Sequence, residues 1–362
     1  MTISRPPSAK GTTGKWSTVG REIIKRWRWP LGLLGLTLAW HALREVIWAE
    51  VWQLLAGMDS LAILTLGVVN LLMLPLMTAR WWLLLRLLGS PVDPLSVCAY
   101  RLAANAVSYL TPGPHFGGEP LAVYLLQHRH GIPTVSAATS VAVDRLLELF
   151  AGFIVLSLCL TGLASAQTGL FQANNGPWLV LAVPAVVTWI LALLSTGGRP
   201  LSRVLVPVRK FCGRFLPRLS GNSPMFAFIT QGEDMAAALF RRHRSLFLLA
   251  NLLSFGHWLG VFFEFWLMSV FLQLPLPFWH LTAVVVVARL AFYTPLPAGI
   301  GALESALPWL TATLGSGSSL GFGLCLIIRF RDLLFSLAGL ALTMKYLTCP
   351  DKAGIIRDRT EQ

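Results

Sequence analysis

Charged residues are scarce in this chain of 362 residues: 12% are Asp, Glu, Lys or Arg, while 55% are hydrophobic. Soluble domains carry about 25% charged residues, so a polytopic membrane protein is indicated and a peripheral one is excluded. Acidic residues are fewer than basic ones, 16 against 29, which gives the chain a net charge of +13. Cytosolic loops and anionic lipid headgroups explain that excess in a membrane protein, so we expect no nucleic-acid partner.

Cysteine and catalytic signatures are also lacking. The five cysteines are scattered, and no pair has metal or redox spacing. The sequence contains no Gly-x-Ser-x-Gly elbow, no His-Glu-x-x-His and no phosphate-loop motif. We therefore expect no metal site, no cofactor and no enzyme activity.

Long apolar runs are what the sequence does have. About six of them approach or exceed the ~20 residues that a spanning helix needs, and they cover residues 30–48, 61–85, 132–163, 178–195, 245–272 and 318–346. The second is expected to return to the cytosol at Arg80 and Arg86. A basic N-terminal arm at 1–29, a loop at 197–244 with nine basic residues and a tail at 347–362 are all predicted to be cytosolic. We expect amphipathic helix on the inner leaflet in the loop.

Two further apolar segments are interrupted. Residues 111–119 read Thr-Pro-Gly-Pro-His-Phe-Gly-Gly-Glu, and residues 294–304 read Thr-Pro-Leu-Pro-Ala-Gly-Ile-Gly-Ala-Leu-Glu. Proline breaks a helix, and irregular backbone at membrane depth is tolerated only within protein or beside a wet cavity. We therefore predict re-entrant hairpins at 95–127 and 278–314, one opening to the cytosol and the other to the outside.

The fold class that follows is an all-α polytopic membrane protein with six spans and two oppositely oriented hairpins. Residues 30–346 form one membrane domain, with repeat halves at about 61–163 and 245–346. Glu119 precedes Asp144 by 25 positions, and Glu304 precedes Arg329 by the same distance. Such an inverted repeat is typical of secondary transporters. The alternative is eight full spans, in which both hairpins cross completely.

Ionisable residues at membrane depth are costly, so each is a functional hypothesis. Each half offers an arginine before the break, Arg101 or Arg289, and an Arg/Asp pair on the following span. The alternative interpretation is structural, with Arg145 paired to Glu119 and Arg329 paired to Glu304. His257 and Glu264 fall on one helix face, and we expect them to form a buried pair in preference to a proton relay.

The glycines at the two breaks suggest helix N-termini, which carry free N–H groups and partial positive charge. Such an end is an anion site, and glycine lets a ligand approach it closely. The alternative is that these glycines only permit turns and tight helix packing. Arginines nearby point to a ligand that bears phosphate. The candidate substrate-binding residues are Arg101, Asn105, Gly117, Gly118, Glu119, Arg145, Arg289, Gly299, Gly301, Glu304 and Arg329. Structural or gating roles are expected for Pro112, Pro114, Asp144, Pro295, Pro297, Arg331 and Asp332.

The order and spacing of several motifs match a known family. They are the run 80–84, Asn105, Pro112, Gly117-Gly118-Glu119, Asp144-Arg145-Leu146-Leu147-Glu148 and Pro295-x-Pro297-x-Gly299-Ile300-Gly301-x-x-Glu304. In these features the sequence resembles the lysylphosphatidylglycerol synthase transmembrane region family, a flippase-like domain. One departure is that Pro120 and an apolar run follow Gly-Gly-Glu, where the family often has a basic residue.

The resemblance implies an inner-membrane protein that moves or handles polar lipids, glycolipids or polyprenyl-linked envelope intermediates. Full-length synthases add a cytosolic aminoacyl-transferase domain, and that activity is expected to be absent here. The first hypothesis is a translocator whose anionic headgroup sits between the hairpin tips. The second is an accessory subunit that docks an enzyme of envelope or hopanoid lipid synthesis. The third is a membrane-embedded transferase.

Overall fold

The computed structural model describes residues 56–111, 117–165, 224–242, 244–294 and 296–348, together with residues 49, 52 and 53. These residues fold into helices and short connections, with no strand among them. The α-helices in the described ranges, in chain order, are α1 Ser60–Leu87, α2 Pro94–Leu110, α3 Glu119–His130, α4 Thr134–Ser165, α5 Pro224–Arg242, α6 Arg244–Phe271, α7 Phe278–Phe292, α8 Ala302–Thr313 and α9 Ser318–Thr348.

Three of these helices are long and apolar enough to cross a membrane by length and composition: Ser60–Leu87, Thr134–Leu163 and Leu248–Phe271. They coincide with the predicted spans at 61–85, 132–163 and 245–272. The predicted span at 318–346 is a helix of 31 residues, α9, with Arg329, Arg331 and Asp332 near its middle. The predicted spans at 30–48 and 178–195, the arm at 1–29 and most of the tail lie outside the described residues.

The first interrupted segment consists of two helices that lie side by side. Helix α2 begins at Pro94, where the Asp93 side chain accepts a hydrogen bond from the Ser96 amide at 3.1 Å. Helix α3 ends at His130 and is capped by Gly131, whose φ of 64° suits glycine. With 17 and 12 residues, the two helices are about 25 and 18 Å long at 1.5 Å per residue. Both are shorter than the ~30 Å hydrocarbon core.

The second interrupted segment repeats this pattern. Helix α7 has 15 residues and α8 has 12, with a single 3₁₀ turn, Pro297–Gly299, between them. Gly299 and Gly301 have φ of 64° and 86°, a region that glycine enters without strain. Ala298 shares that region with φ of 52°. Pro112, Pro114 and Pro295 lie outside the described residues.

Helices α1 to α4 correspond to α6 to α9 at a shift of 184 residues, the difference between the first residues of α1 and α6, 60 and 244. The two leading helices, α1 and α6, pack on each other. Asn70 bonds to Glu264 at 2.9 Å, and Arg80 bonds to Ser254 at 2.9 Å. Higher numbers on one helix therefore meet lower numbers on the other. The corresponding helices run antiparallel, and the shift exchanges these two contacts.

The remaining contacts between the halves are also reciprocal. Helix α2 packs on α9, and its counterpart α7 packs on α4. A Cβ added to Gly339 of α9 would lie 2.3 Å from the Leu102 carbonyl of α2. On the other side, Phe153 of α4 stacks on Tyr293 with ring centroids 5.8 Å apart. The largest hydrophobic core consequently lies along the contact between the halves.

Helix α5 is the described part of the basic loop. It is amphipathic, as predicted, and its buried face presents Ala236, Leu239 and Phe240. These side chains pack on Val143 and Leu147 of α4. The apolar face therefore covers another helix, where the sequence alone predicted contact with the inner leaflet.

Candidate functional site

A cavity of about 260 Å³ lies between the two halves, lined by α1, α2, α4, α6, α7 and α9. Its lining follows the internal repeat, because many of its residues are related by the 184-residue shift. The polar pairs of this kind are Asn105 with Arg289, Tyr109 with Tyr293, and Glu148 with Asp332. The pairs from α1 and α6 are Met73 with His257, Leu74 with Trp258, and Met77 with Val261. The cavity therefore lies at the interface between the two halves, and each half contributes equivalent positions to its lining.

The cavity is charged but balanced. Apart from the two tyrosines, its ionisable lining consists of three arginines, three carboxylates and one histidine, namely Arg145, Arg289, Arg331, Glu148, Glu264, Asp332 and His257. With the histidine neutral, the formal charges cancel. A neutral set of this kind is expected at membrane depth, where each uncompensated charge is costly.

One ion cluster joins α1, α2 and α4. Arg80 donates to Asp144 at 2.6 Å and to Glu148 at 3.1 Å. Arg101 donates to the same two carboxylates at 2.5 and 3.1 Å. The expectation that Arg80 marks a return to the cytosol is wrong, because the residue is only 2% exposed. Two carboxylates held by two arginines offset the cost of burying any one of them.

Arg145 connects this cluster to the first break. Its Nη1 donates to Glu148 at 3.0 Å, and its Nε lies 2.9 Å from Glu119 Oε1. The contact to Glu119 is an ion pair without hydrogen-bond alignment, since that oxygen has no hydrogen-bond partner. Arg145 also lines the cavity, so its guanidinium lies between the hairpin and the central space.

Arg329 has the corresponding place in the second half but a different role. Its Nε donates to Glu304 at 2.6 Å, and Glu304 also accepts from the Gly301 amide at 2.7 Å. The Nη groups donate to the carbonyls of Ala298 at 2.6 Å and Gly299 at 3.2 Å. Arg329 therefore holds the turn between α7 and α8, and it does not line the cavity. The two Glu–Arg pairs proposed from sequence as structural contacts are both present.

A second ion cluster joins α1, α6 and α9. Arg331 donates to Glu264 at 2.6 Å and to Asp332 at 2.8 and 3.0 Å. Glu264 also accepts from Asn70 at 2.9 Å. The expected pair of His257 with Glu264 is wrong, because Glu264 is engaged by Asn70 and Arg331, and the buried His257 Nδ1 has no hydrogen-bond partner. His257 and Glu264 both lie on α6 and line the cavity at different positions.

Arg289 differs from the other cavity arginines. Among the described residues it forms no ion pair and donates no hydrogen bond, and its buried Nε is unpartnered. Its guanidinium carbon lies 5.2 Å from the Trp258 ring centroid, within the range of a cation–π contact. Arg289 thus offers a cationic group on the cavity lining that no carboxylate of the described residues contacts directly.

The glycines at the breaks are closely packed. The Gly118 amide donates to Ser108 Oγ at 2.8 Å, and the Gly117 amide is 3.4 Å from the same oxygen. A Cβ added to Gly118 would lie 1.8 Å from the Ala104 carbonyl oxygen. In this conformation the amides of Gly117, Gly118 and Gly301 therefore bind groups of the protein itself. The anion-binding role of these glycines stays a prediction.

Comparison with known proteins identifies the family of this chain. The family described as Lysylphosphatidylglycerol synthase TM region matches residues 29–339, which is most of the chain. The chain belongs to this family. It is also 23% identical over 268 residues to a "UPF0104 membrane protein" of Methanothermobacter thermautotrophicus, covering 70% of this chain and 76% of that protein. No solved structure gives a significant match.

For this member of the family, the cavity gathers only part of the site predicted from sequence. It is lined by Asn105, Arg145, Arg289, Arg331 and Asp332. Arg101 and Asp144 belong to the first ion cluster, and Glu119 pairs with Arg145 at the first break. Glu304 and Arg329 hold the turn at the second break.

Sequence reasoning left out of the site several residues that the structure brings to it: Asn70, Arg80, Tyr109, Glu148, His257, Trp258, Glu264 and Tyr293. A signal for some of them was available. Tyr109 and Tyr293 are separated by the repeat shift, as are Asn105 and Arg289. Within the described ranges, no group of three His, Cys, Asp or Glu side chains is arranged to hold a metal ion.

Proposed function

We propose that this family member translocates a polar lipid or lipid-linked envelope intermediate, whose anionic headgroup enters the central cavity beside Arg289. The observation that carries the proposal is the guanidinium of Arg289, which has no direct carboxylate or hydrogen-bond partner among the described residues. A buried cation without a carboxylate partner is costly, and a phosphate group would satisfy it through charge-assisted hydrogen bonds. Tyr109, Tyr293 and Asn105 line the same space and supply further donors.

The size of the cavity favours a headgroup over a whole lipid. At about 260 Å³ it is smaller than the roughly 300–1,000 Å³ typical of pockets that enclose drug-sized ligands. The acyl or polyprenyl chains would therefore stay in the membrane while the headgroup passes between the halves.

The arrangement of the helices supports alternating access. Helix α3 folds back beside α2, since Gly118 packs on Ala104 at one end and Tyr100 bonds to His130 at 3.0 Å at the other. Together with the short helices, this favours re-entrant hairpins over eight full spans. The antiparallel α1 and α6 favour opposite orientations of the two halves. The location proposed is the cell inner membrane, with both termini cytoplasmic.

In this proposal Arg289 and Arg145 contact the headgroup, and Asn105 helps to orient it. Arg101, Asp144 and Glu119 hold Arg145 in place, while Glu304 and Arg329 keep the second hairpin tip closed. Pro112, Pro114, Pro295 and Pro297 keep the structural or gating roles predicted from sequence, and the amides of Gly117, Gly118, Gly299 and Gly301 would bind the headgroup once a tip opens.

The test is lipid translocation by purified protein in vesicles that contain tail-labelled fluorescent phosphatidylglycerol, with dithionite bleaching of the outer leaflet. We expect wild-type protein to expose inner-leaflet probe faster than protein-free vesicles. Arg289→Met should slow this about tenfold or more, because a hydrogen bond to a charged group is worth about 1.5–3 kcal/mol. Arg86→Met is the matched control, since Arg86 is exposed and lies over Trp82 at 4.0 Å.

Two results would count against the proposal. Equal rates for wild-type protein and Arg289→Met would show that Arg289 does not contact the moving headgroup. A wild-type protein that moves neither this probe nor an undecaprenyl phosphate analogue would favour the accessory-subunit hypothesis, in which the basic loop at 197–244 docks an envelope-synthesis enzyme.

A further inference from the structure

Glu264 is the cavity carboxylate whose hydrogen bonding is incomplete. Its side chain is 0% exposed, and Oε1 accepts both from Asn70 and from Arg331. Oε2 is buried and has no partner. An ionised carboxylate leaves an unsatisfied acceptor at Oε2, which is costly in a buried site. A proton on Oε2 would remove one buried charge and supply a donor on a residue that lines the cavity.

The other carboxylates of the cavity are more fully compensated. Glu148 receives hydrogen bonds from three arginines, Arg80, Arg101 and Arg145. Asp332 takes two nitrogens of Arg331 on one oxygen. Glu264 contacts one nitrogen of one arginine, which it shares with Asp332. Of the three, Glu264 loses the least ionic contact when a proton binds.

Charge balance explains why a proton would bind together with the headgroup. The ionisable lining of the cavity is formally neutral in this structure, as counted above. A headgroup with a single negative charge would leave the buried site with an excess negative charge, which the membrane interior penalises. Uptake of one proton by Glu264 restores neutrality without moving any arginine from its carboxylates in the first cluster.

We infer that Glu264 binds a proton together with the headgroup, so that an anionic headgroup and a proton occupy the cavity at the same time. The inference rests on the proposed function. The proton comes from the buffered bulk solution and forms an O–H bond at Oε2. Arg331 then loses its ionic contact with Glu264, keeps Asp332, and can turn one amino group towards the headgroup. No other bond is made or broken.

Other charged and titratable groups near Glu264 determine how readily it binds that proton. Helix α9 contributes Arg331 and Asp332, α7 contributes Arg289, and α4 contributes Arg145 and Glu148, all on the same cavity. On α6 itself, His257 lies seven positions earlier. Helix α1 presents the neutral Asn70, and Arg80 of α1 belongs to the other ion cluster. Helix α5 contacts α6 near Ala250, about 21 Å along the helix from Glu264 at 1.5 Å per residue.

The experiment measures proton exchange during binding. Detergent-solubilised full-length protein is titrated calorimetrically at neutral pH with glycerophosphoglycerol, the water-soluble headgroup of phosphatidylglycerol. Repeating the titration in buffers of different ionisation enthalpy gives the number of protons taken up per headgroup. We expect one proton in the wild type and none in Glu264→Gln, because glutamine retains an acceptor for Asn70 but does not titrate. Glu264→Asp should recover uptake.

The wild-type measurement can overturn the inference even if a variant fails to fold. Headgroup binding without proton uptake would overturn the inference and leave the proposed function standing. No binding of the probe would count against the proposed function and the inference together. His257→Asn tests the rival proton carrier. Persisting uptake in that variant supports Glu264, and abolished uptake there would transfer the role to His257 and overturn the assignment.

Discussion

The buried arginines depend on individual carboxylates to compensate their charge. Asp144 contacts Arg80 and Arg101 through different oxygens, and all three side chains are almost fully buried. Removing one partner of a buried ion pair leaves an uncompensated charge in a poorly polarisable environment, and such losses are commonly larger than the net stabilisation by the intact pair.

We therefore expect Asp144→Asn to lower the free energy of unfolding by about 3–5 kcal/mol. The measurement is the melting temperature of purified protein in detergent. Asp59→Asn is the matched control, because Asp59 is exposed and its side chain does not cap α1. That change should stay within about 0.5 kcal/mol. Equal melting temperatures for the two variants would mean that the ion cluster does not stabilise the fold.

The sequence could predict part of the site at this scale. The rule that intramembrane charges need partners led directly to the pairs of Glu119 with Arg145 and Glu304 with Arg329, and both are found. It failed for Arg80, because an arginine near the end of an apolar run fits an interfacial position equally well. Only the packing of α1 against α4 and α6 shows that it turns inward.

At the scale of helices, proline and glycine determine where the chain is interrupted within each pair of short helices, α2 with α3 and α7 with α8. Both breaks could be located from sequence, since proline is incompatible with a continuous helix there and glycine takes the positive φ at 299 and 301. The packing partner of α5 could not be predicted. An amphipathic pattern shows that a helix buries one face, but it does not distinguish a lipid surface from a neighbouring helix.

Close contact between α2 and α9 depends on Gly339. An added Cβ would lie 2.3 Å from the Leu102 carbonyl oxygen and 2.7 Å from the Ala106 Cβ. We expect Gly339→Ala to separate the helices and to cost about 1–3 kcal/mol of stability, as overpacking commonly does.

The control for this prediction is Gly256→Ala. Gly256 lies in α6 with nothing within 4 Å of an added Cβ, so helix propensity should leave stability unchanged or raise it by up to about 1 kcal/mol. Both variants are compared by melting temperature in the same detergent. A destabilisation as large for Gly256→Ala as for Gly339→Ala would contradict the packing described between α2 and α9.

The whole molecule is organised by two equivalent halves. The exchange of contacts between α1 and α6, and between the pairs α2–α9 and α4–α7, makes the cavity a shared feature of both halves. This arrangement could be anticipated from the matching Pro/Gly breaks. The pairing of cavity residues across the repeat needed the structure, because helix packing fixes which face of each helix turns inward.

Opposite orientation of the halves predicts opposite exposure of the hairpin ends. In a variant without native cysteines, an impermeant thiol reagent applied to intact cells should label Phe278→Cys and Thr313→Cys. Leu95→Cys and Thr134→Cys should react only after the cells are permeabilised. All four positions are exposed on the protein surface. Labelling of all four in intact cells would rule out the inverted arrangement.

The position of the anionic headgroup tests the central claim most directly. We would determine the cryo-electron microscopy structure of the full-length protein in nanodiscs rich in phosphatidylglycerol. We expect phosphate density in the central cavity at about 2.7–2.9 Å from the Arg289 guanidinium, the usual distance of a charge-assisted hydrogen bond. Headgroup density confined to the outer surface, with Arg289 bound by a carboxylate of the chain, would contradict the account.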